Sequence, residues 1–154
     1  ADMIARDEFA KQEDIEAILK YHTMAIVGLS PDPFRPSHVV ASYLKRHGYR
    51  IVPVNPYVEM VLGEKAYPDL ASIPFPVDVV VIFRRSDAAG KVVDEAIQKG
   101  VKAVWMQEGV IDDLAALRAR RAGIRVVMDR CILKEHAYLA HQPIPVSYES
   151  SSED

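Results

Sequence analysis

The 154-residue chain contains one cysteine, seven glycines and no long apolar run. A single cysteine excludes a disulfide framework and any zinc site built from several thiolates. Because no apolar stretch approaches the roughly 18–20 residues that span a bilayer, a transmembrane helix is not expected. The first residues also lack the basic, apolar and small-residue regions of a secretory signal peptide. We therefore expect a protein of the reducing cytoplasm that has no membrane partner.

The sequence also lacks the common catalytic and metal-binding motifs. Its five histidines show no paired ligand spacing, and it has no Walker loop, nucleophile elbow or kinase signature. The dinucleotide fingerprint needs three glycines within six residues, and after the first predicted strand only Gly28 is present. We predict no metal site and no catalytic residues, with each histidine structural or solvated.

The formal net charge of −3 is unevenly distributed. Acidic residues concentrate at both ends of the chain, so residues 17–148 carry 17 basic side chains against 13 acidic ones. A mildly cationic body suits an anionic small molecule. No dense stripe of Lys and Arg with interleaved aromatic residues is present, so nucleic acid is not an expected partner.

Short β-rich segments alternate with segments of helical periodicity. The predicted strands are residues 23–27, 50–54, 77–83, 102–105 and 125–128. One pattern recurs at Gly48, Gly100 and Gly123: a glycine, an apolar residue, a basic residue and then a strand. A glycine in this position is typical of a helix that ends in the left-handed conformation. Alternating strands and helices predict one Rossmann-like, doubly wound α/β domain. Its mainly parallel, five-stranded sheet has helices on both faces.

The chain is divided into three parts by its composition. Residues 1–12 are predicted to form an N-terminal tail and residues 13–141 the domain. Residues 142–154 are predicted to be an extended or disordered tail, because prolines 143 and 145 stop the last helix. The proline-rich stretch 55–76 is expected to be loop with a short strand near residues 66–67. Separately, the leucines at positions 114 and 117 are predicted to form the apolar face of a helix.

The carboxyl ends of the predicted strands carry the candidate binding residues. After the first strand, Gly28 would allow close approach of a phosphate, and Arg35 stands beside a helix that begins near Pro36 or Ser37. The third strand ends in Arg84 and Arg85, whose forks match phosphate oxygens. The ordinary alternative for each loop is a turn or solvated loop without a ligand.

The other strand ends narrow the ligand class. Asn55 follows the second strand where NAD sites place an acid, so NAD and S-adenosylmethionine are disfavoured and a phosphorylated ribose is tolerated. Gln107 and Gly109 follow the fourth strand and can offer neutral hydrogen bonds. Cys131 opens the last helix beside Arg130, a setting that favours the thiolate, although a lone cysteine is usually a small buried residue.

Together these segments resemble the small, stand-alone coenzyme A (CoA)-binding proteins of bacteria and archaea, which are similar to the N-terminal CoA-binding domain of the succinyl-CoA synthetase α subunit. The resemblance spans roughly residues 13–141. It rests on the segments 25–30, 35–37, 53–56, 62–64, 83–85, 104–109, 129–131 and 134–136.

The resemblance implies that coenzyme A is the cofactor and that it lies at the carboxyl edge of the sheet. The residues implied to bind it are Gly28, Leu29, Ser30, Arg35, Pro36 and Ser37 along the phosphate and pantetheine path, Val54, Asn55 and Pro56 near the adenosine, Phe83, Arg84 and Arg85 at the third strand, and Gln107 and Gly109 at the fourth.

The synthetase also needs a domain with a phosphorylated histidine and a β subunit, and no segment of this sequence corresponds to either. We therefore expect a module that binds CoA or an acyl-CoA without catalysis of its own. One alternative is a thiol-dependent or partner-completed CoA enzyme using Cys131, and another is an NAD(P)-binding or structural protein. The apolar residues among 57–62 predict a homodimer.

Overall fold

The computed structural model describes residues 6–151. Its seven strands are β1 (Thr23–Val27), β2 (Arg50–Val54), β3 (Met60–Val61), β4 (Glu64–Lys65), β5 (Val79–Ile82), β6 (Ala103–Met106) and β7 (Arg125–Met128). Five of them form a parallel sheet in the order β2-β1-β5-β6-β7, and β3 pairs with β4 in a small antiparallel hairpin. The predicted five-stranded parallel sheet is confirmed.

Helices cover both faces of this sheet. A 3₁₀ helix at Arg6–Phe9 precedes α1 (Gln12–Ile18), α2 (Pro36–Arg46), α3 (Ser86–Lys99), α4 (Asp113–Arg121), α5 (Ile132–Ala140) and α6 (Val146–Ser151). The buried residues of α3 and α4 belong to one core layer, and those of α1, α2, α5 and α6 to the other. The predicted doubly wound architecture is therefore confirmed. No helix within residues 6–151 is long and apolar enough to cross a membrane.

Strand β1 shows why the central segments are almost continuously apolar. Met24 and Ile26 point into the layer formed with α1, α2 and α5, whereas Ala25 and Val27 point into the layer formed with α3 and α4. All five residues of β1 are buried. Successive side chains of a strand alternate between faces, so a strand covered by helices on both sides has no solvent-facing position.

Several details differ from the sequence prediction. The β3–β4 hairpin lies within the stretch predicted as loop. Where a short strand was predicted near residues 66–67, Tyr67 forms only an isolated bridge with Val54. The buried face of α4 consists of alanines, whereas Leu114 is 71% exposed. Small side chains let α4 approach α3 and the sheet closely, so Leu114 turns outwards and Leu117 packs only partly buried against the core.

The chain ends are more structured than predicted. Residues 146–151 form helix α6, so the expectation of an extended or disordered tail is wrong for them. Tyr148 accounts for this, because its ring is 5% exposed and packs into the core layer of α2 and α5. At the other end, Phe9 is fully buried, so the residues predicted to be an N-terminal tail include a core residue. The division at residues 12 and 141 stays a prediction.

Candidate functional site

A cleft opens where the strand order reverses. Strands β1 and β5 are neighbours, but the chain runs from β1 to β2 on one side and from β5 to β6 on the other. In parallel sheets, ligands bind beyond the carboxyl ends of the strands at such a point. The cleft has a volume of about 890 Å³ and is lined by Gly28, Ser30, Arg35, Pro36, Ser37, Phe83, Arg84, Arg85, Gln107, Glu108, Gly109, Val110, Lys134 and Tyr148. It contains ten of the fourteen cofactor-binding residues predicted from the sequence.

The loop after β1 is held against the start of α2 by side-chain hydrogen bonds. The backbone N–H of Ser30 donates to Oγ of Ser37 at 3.0 Å, and Oγ of Ser30 accepts the N–H of Asp32 at 3.0 Å. The ring Nδ1 of His38 lies 2.9 Å from the Ser30 carbonyl oxygen. These bonds fix the loop while Arg35 remains exposed at the mouth of the cleft.

Two helices direct their N-termini to this cleft. Helix α2 begins at Pro36 and α3 begins at Ser86, and the side chains of the preceding residues, Arg35 and Arg85, make no capping hydrogen bond. An uncapped N-terminus presents unpaired N–H groups and the positive end of the helix dipole, both of which favour an anion.

The arginines of the cleft differ in what they already contact. Arg85 forms an exposed ion pair with Asp87 at 3.0 Å. Within residues 6–151, Arg35 and Arg84 have no carboxylate partner, and both are exposed. The cleft therefore combines two helix N-termini with two guanidinium groups available to an anionic ligand.

The end of β6 is more committed to internal contacts than the sequence indicated. The Gln107 side chain is 4% exposed, and its Oε1 accepts the N–H of Ile132 at 2.9 Å. The N–H of Gly109 donates to Oδ1 of Asp129 at 2.8 Å. Both residues line the cleft, but Oε1 of Gln107 already holds the start of α5, and the N–H of Gly109 already holds the loop after β6.

Four of the predicted residues lie outside the cleft. Leu29 and Val54 are buried, and Pro56 is exposed beyond the end of β2. Asn55 joins two loops, because its Nδ2 donates to the Leu29 carbonyl at 3.0 Å and its Oδ1 accepts the N–H of Tyr57 at 2.8 Å. The structure gives Asn55 a bracing role. The assignment of Leu29 to the phosphate and pantetheine path, and of Val54, Asn55 and Pro56 to the adenosine side, stays a prediction.

The cleft also includes four residues that sequence reasoning missed, namely Glu108, Val110, Lys134 and Tyr148. Nζ of Lys134 lies 3.1 Å from Oε1 of Glu108, and the Tyr148 hydroxyl donates to the same oxygen at 2.8 Å. Burial, reinforced by the neighbouring Cys131 and Glu108, raises the pKa of Tyr148 above its ordinary value. Tyr148 was missed because its short helix follows two prolines.

Cys131 occupies the residue just before α5, as predicted, but its side chain is only 2% exposed and does not line the cleft. The Tyr148 side chain contacts it from the cleft side. In the described part of the chain, no three His, Cys, Asp or Glu side chains come together as a metal site would require.

The fold and the cleft define a Rossmann-like α/β protein with an arginine-lined cleft at the switch point of its sheet. Residues 22–137 match the CoA binding domain family, and the chain belongs to that family. The resemblance stated from the sequence is thereby confirmed.

Relatives of two kinds match this chain. The uncharacterized protein YneT of Bacillus subtilis is 37% identical over 83% of this chain and 95% of its own length. The α subunit of an ADP-forming acetate–CoA ligase II of Pyrococcus furiosus is 30% identical over 75% of this chain, but only 28% of the subunit is covered. The chain thus spans less than a third of that ligase subunit.

Solved structures show the same two kinds. A hypothetical protein from Pyrococcus horikoshii superposes with a TM-score of 0.83 at 38% identity, covering 91% of this chain and 99% of that one. A dinucleotide-forming acetyl-coenzyme A synthetase of Ca. Korarchaeum cryptofilum superposes with a TM-score of 0.66 at 26% identity, covering 77% of this chain and 28% of that one.

Proposed function

We propose that this chain binds coenzyme A or an acyl-CoA in the cleft and performs no catalysis of its own. The observation that carries the proposal is the convergence of two uncapped helix N-termini with the Arg35 and Arg84 side chains. Coenzyme A carries a pyrophosphate and a 3′-phosphate, and charge-assisted bonds to such groups are the strong ones. A cleft of about 890 Å³ is within the roughly 300–1,000 Å³ typical of small-molecule sites.

The cleft also supplies a direction for the ligand. Its arginines follow β1 and β5, whereas the lining beyond β6 holds the neutral Gln107, Gly109 and Val110 together with Glu108 and Lys134, which form an ion pair with each other. We place the phosphates at the starts of α2 and α3, and the uncharged pantetheine arm along β6 towards α5. The adenosine then lies on the side of β2, as the family resemblance implies.

The alternatives find less support in these contacts. A thiol-dependent reaction would need access to Cys131, which is 2% exposed behind Tyr148. An NAD site would need a carboxylate for the ribose, whereas Asn55 follows β2 and its amide already bonds two loops. A ligase activity completed by a partner chain remains the second candidate, because ADP-forming acetate–CoA ligases are among the relatives.

Calorimetry with the reduced protein tests the proposal. We expect CoA to bind with micromolar affinity and dephospho-CoA to bind about tenfold or more weakly, because one arginine–phosphate contact contributes on the order of 1–3 kcal/mol. NAD is the comparison ligand. Failure to bind CoA, or tighter binding of NAD, would overturn the proposal. Equal affinities for CoA and dephospho-CoA would overturn the assigned recognition of the 3′-phosphate.

We further propose that the protein works in the cytoplasm on this small molecule and not on nucleic acid. The excess of basic over acidic residues between 17 and 148 is small, and four of the basic residues, Arg35, Arg84, Arg85 and Lys134, line the cleft. An electrophoretic mobility assay at low salt with duplex DNA and with RNA should show no shift.

A further inference from the structure

Tyr148 lines the cleft beside Glu108, which follows β6, and Lys134, which lies in α5. The Tyr148 side chain is 5% exposed although it belongs to the last described helix. The hydroxyl donates to Oε1 of Glu108 at 2.8 Å, and the side chain contacts Cys131. Tyr148 therefore lines the cleft and also contacts the buried thiol, which does not line it.

The chain leading to Tyr148 is held in place. Helix α5 ends at Ala140 and is followed by His141, whose φ of 53° lies in the left-handed region. The N–H of Gln142 donates to the Ala137 carbonyl at 2.8 Å. Prolines 143 and 145 restrict the backbone of the connection. Ile144 packs against the core layer of α2 and α5, so α6 is anchored before the tyrosine is reached.

Lys134 and Glu108 fix the tyrosine ring from the cleft side. Nζ of Lys134 lies 3.1 Å from the Glu108 carboxylate and 5.3 Å from the centroid of the Tyr148 ring. The same carboxylate accepts a hydrogen bond from the tyrosine hydroxyl. A side chain held by a hydrogen bond, a cation–π contact and burial is a rigid wall, not a surface residue that moves aside freely.

We propose that Tyr148 is a specificity-determining residue that closes the thiol end of the cleft, so that the site accepts CoA with a free thiol or a short acyl group and excludes longer acyl chains. This inference rests on the proposed function and on the placement of the pantetheine arm along β6. Tyr148 lies beyond residue 137, where the match to the CoA binding domain family ends. The selectivity is therefore assigned to a segment outside the family match.

Calorimetry with CoA, acetyl-CoA and hexanoyl-CoA tests the inference. We expect the wild-type protein to bind the first two similarly and hexanoyl-CoA at least about tenfold more weakly. In Tyr148→Ala, this difference should disappear or reverse, because two newly buried methylene groups alone are worth about a tenfold gain at roughly 0.8 kcal/mol each. Tyr148→Leu preserves more of the apolar packing and should shift selectivity in the same direction, which keeps the test available if the alanine variant does not fold.

Two matched variants identify the cause. Tyr148→Phe retains the ring and should retain the discrimination, since the wall is steric. Tyr138→Ala removes an exposed tyrosine from α5, outside the cleft, and should change nothing. If the wild-type protein binds CoA and hexanoyl-CoA equally, or if neither Tyr148→Ala nor Tyr148→Leu changes their ratio, the inference is overturned. The proposed function still stands in either case, because it depends on the binding of CoA and not on discrimination between acyl groups.

Discussion

Gly28 and Phe83 approach so closely at the carboxyl ends of β1 and β5 that a Cβ atom on Gly28 would lie 2.2 Å from the Phe83 carbonyl oxygen. The N–H of Phe83 also donates to the Val27 carbonyl at 2.9 Å, which ties the two strand ends together. The floor of the cleft is thus formed where two backbones meet without an intervening side chain.

Substitution of Gly28 by alanine should therefore destabilise the domain by more than the cost of placing alanine at a positive φ. Gly28 has a φ of +87°, and Gly123 has a similar φ of +84°, but a Cβ atom on Gly123 would meet no other described residue within 4 Å beyond its chain neighbours. Gly123→Ala should cost about 1–2 kcal/mol for the left-handed conformation. Gly28→Ala should cost about 1–3 kcal/mol more for the clash. Urea unfolding of both variants measures the difference, and equal losses would contradict the clash.

The sequence was sufficient to predict the sheet because each strand is formed by consecutive residues with a clear local pattern. Strands β1, β2 and β7 have the predicted bounds, since buried parallel strands read as continuous apolar runs. The positive φ values of Gly48 and Gly100 likewise follow from local sequence alone. These features need no knowledge of distant contacts.

The parts that could not be predicted depend on residues far apart in the chain. The hydrogen bond from Tyr148 to Glu108 joins positions 40 residues apart, and no local pattern around two prolines indicates it. Gln107 has the polarity of a ligand contact, but its Oε1 bonds to the N–H of Ile132. Local sequence identifies which polar groups reach the sheet edge, whereas tertiary packing decides which of them remain available.

Arg84→Ala should weaken CoA binding more than Arg85→Ala does. The Arg85 guanidinium is already paired with Asp87, whereas Arg84 has no carboxylate partner within residues 6–151. We expect Arg84→Ala to cost about 1–3 kcal/mol of binding free energy and only about 0.5 kcal/mol of stability, because the side chain is exposed.

Arg121→Ala is the matched control, since Arg121 is exposed near the end of α4 and does not line the cleft. Calorimetry gives the affinities and thermal unfolding gives the stabilities. A large drop in melting temperature with unchanged affinity would show that Arg84 is structural.

Stability should fall as the solution becomes more acidic because of His136. Burial, and then the neighbouring His47, lowers the pKa of His136 below its ordinary value. The Tyr43 hydroxyl lies 2.8 Å from its Nδ1, and the rings of His47 and Tyr49 pack against it. Since the unfolded chain takes up this proton near pH 6.5 and the folded chain only at lower pH, the free energy of unfolding decreases as pH falls below about 6.5.

Urea unfolding at pH 7.5 and pH 5.5 measures this effect. The decrease should be smaller in His136→Gln, which cannot take up the proton. The same replacement at the exposed His141 serves as the control and should leave the wild-type decrease intact. An unchanged decrease in His136→Gln would remove this residue as the cause.

The homodimer predicted from residues 57–62 stays a prediction, but the structure indicates which residues can take part. Tyr57 and Met60 are 88% and 62% exposed, whereas Val61 is buried and Val58 and Leu62 pack against the core. Light scattering should give about twice the chain mass of 17.2 kDa, and Tyr57→Ser combined with Met60→Ser should reduce it towards one chain. A single-chain mass for the wild-type protein at all concentrations would rule the dimer out.

Cys131→Ser should leave the affinity for reduced CoA within a factor of a few. The thiol is buried behind Tyr148 and does not line the cleft, so it makes no contact that the proposed phosphate and pantetheine sites require. With CoA disulfide, the Cys131 thiolate can attack one sulfur, form a mixed disulfide and release one CoA thiolate. Intact mass spectrometry should detect this adduct slowly in the wild-type protein, faster in Tyr148→Ala, and not at all in Cys131→Ser. If the serine variant instead fails to bind CoA in its reduced form, the result would favour a thiol-dependent enzyme. Binding would then require the thiol of a residue that makes none of the proposed binding contacts.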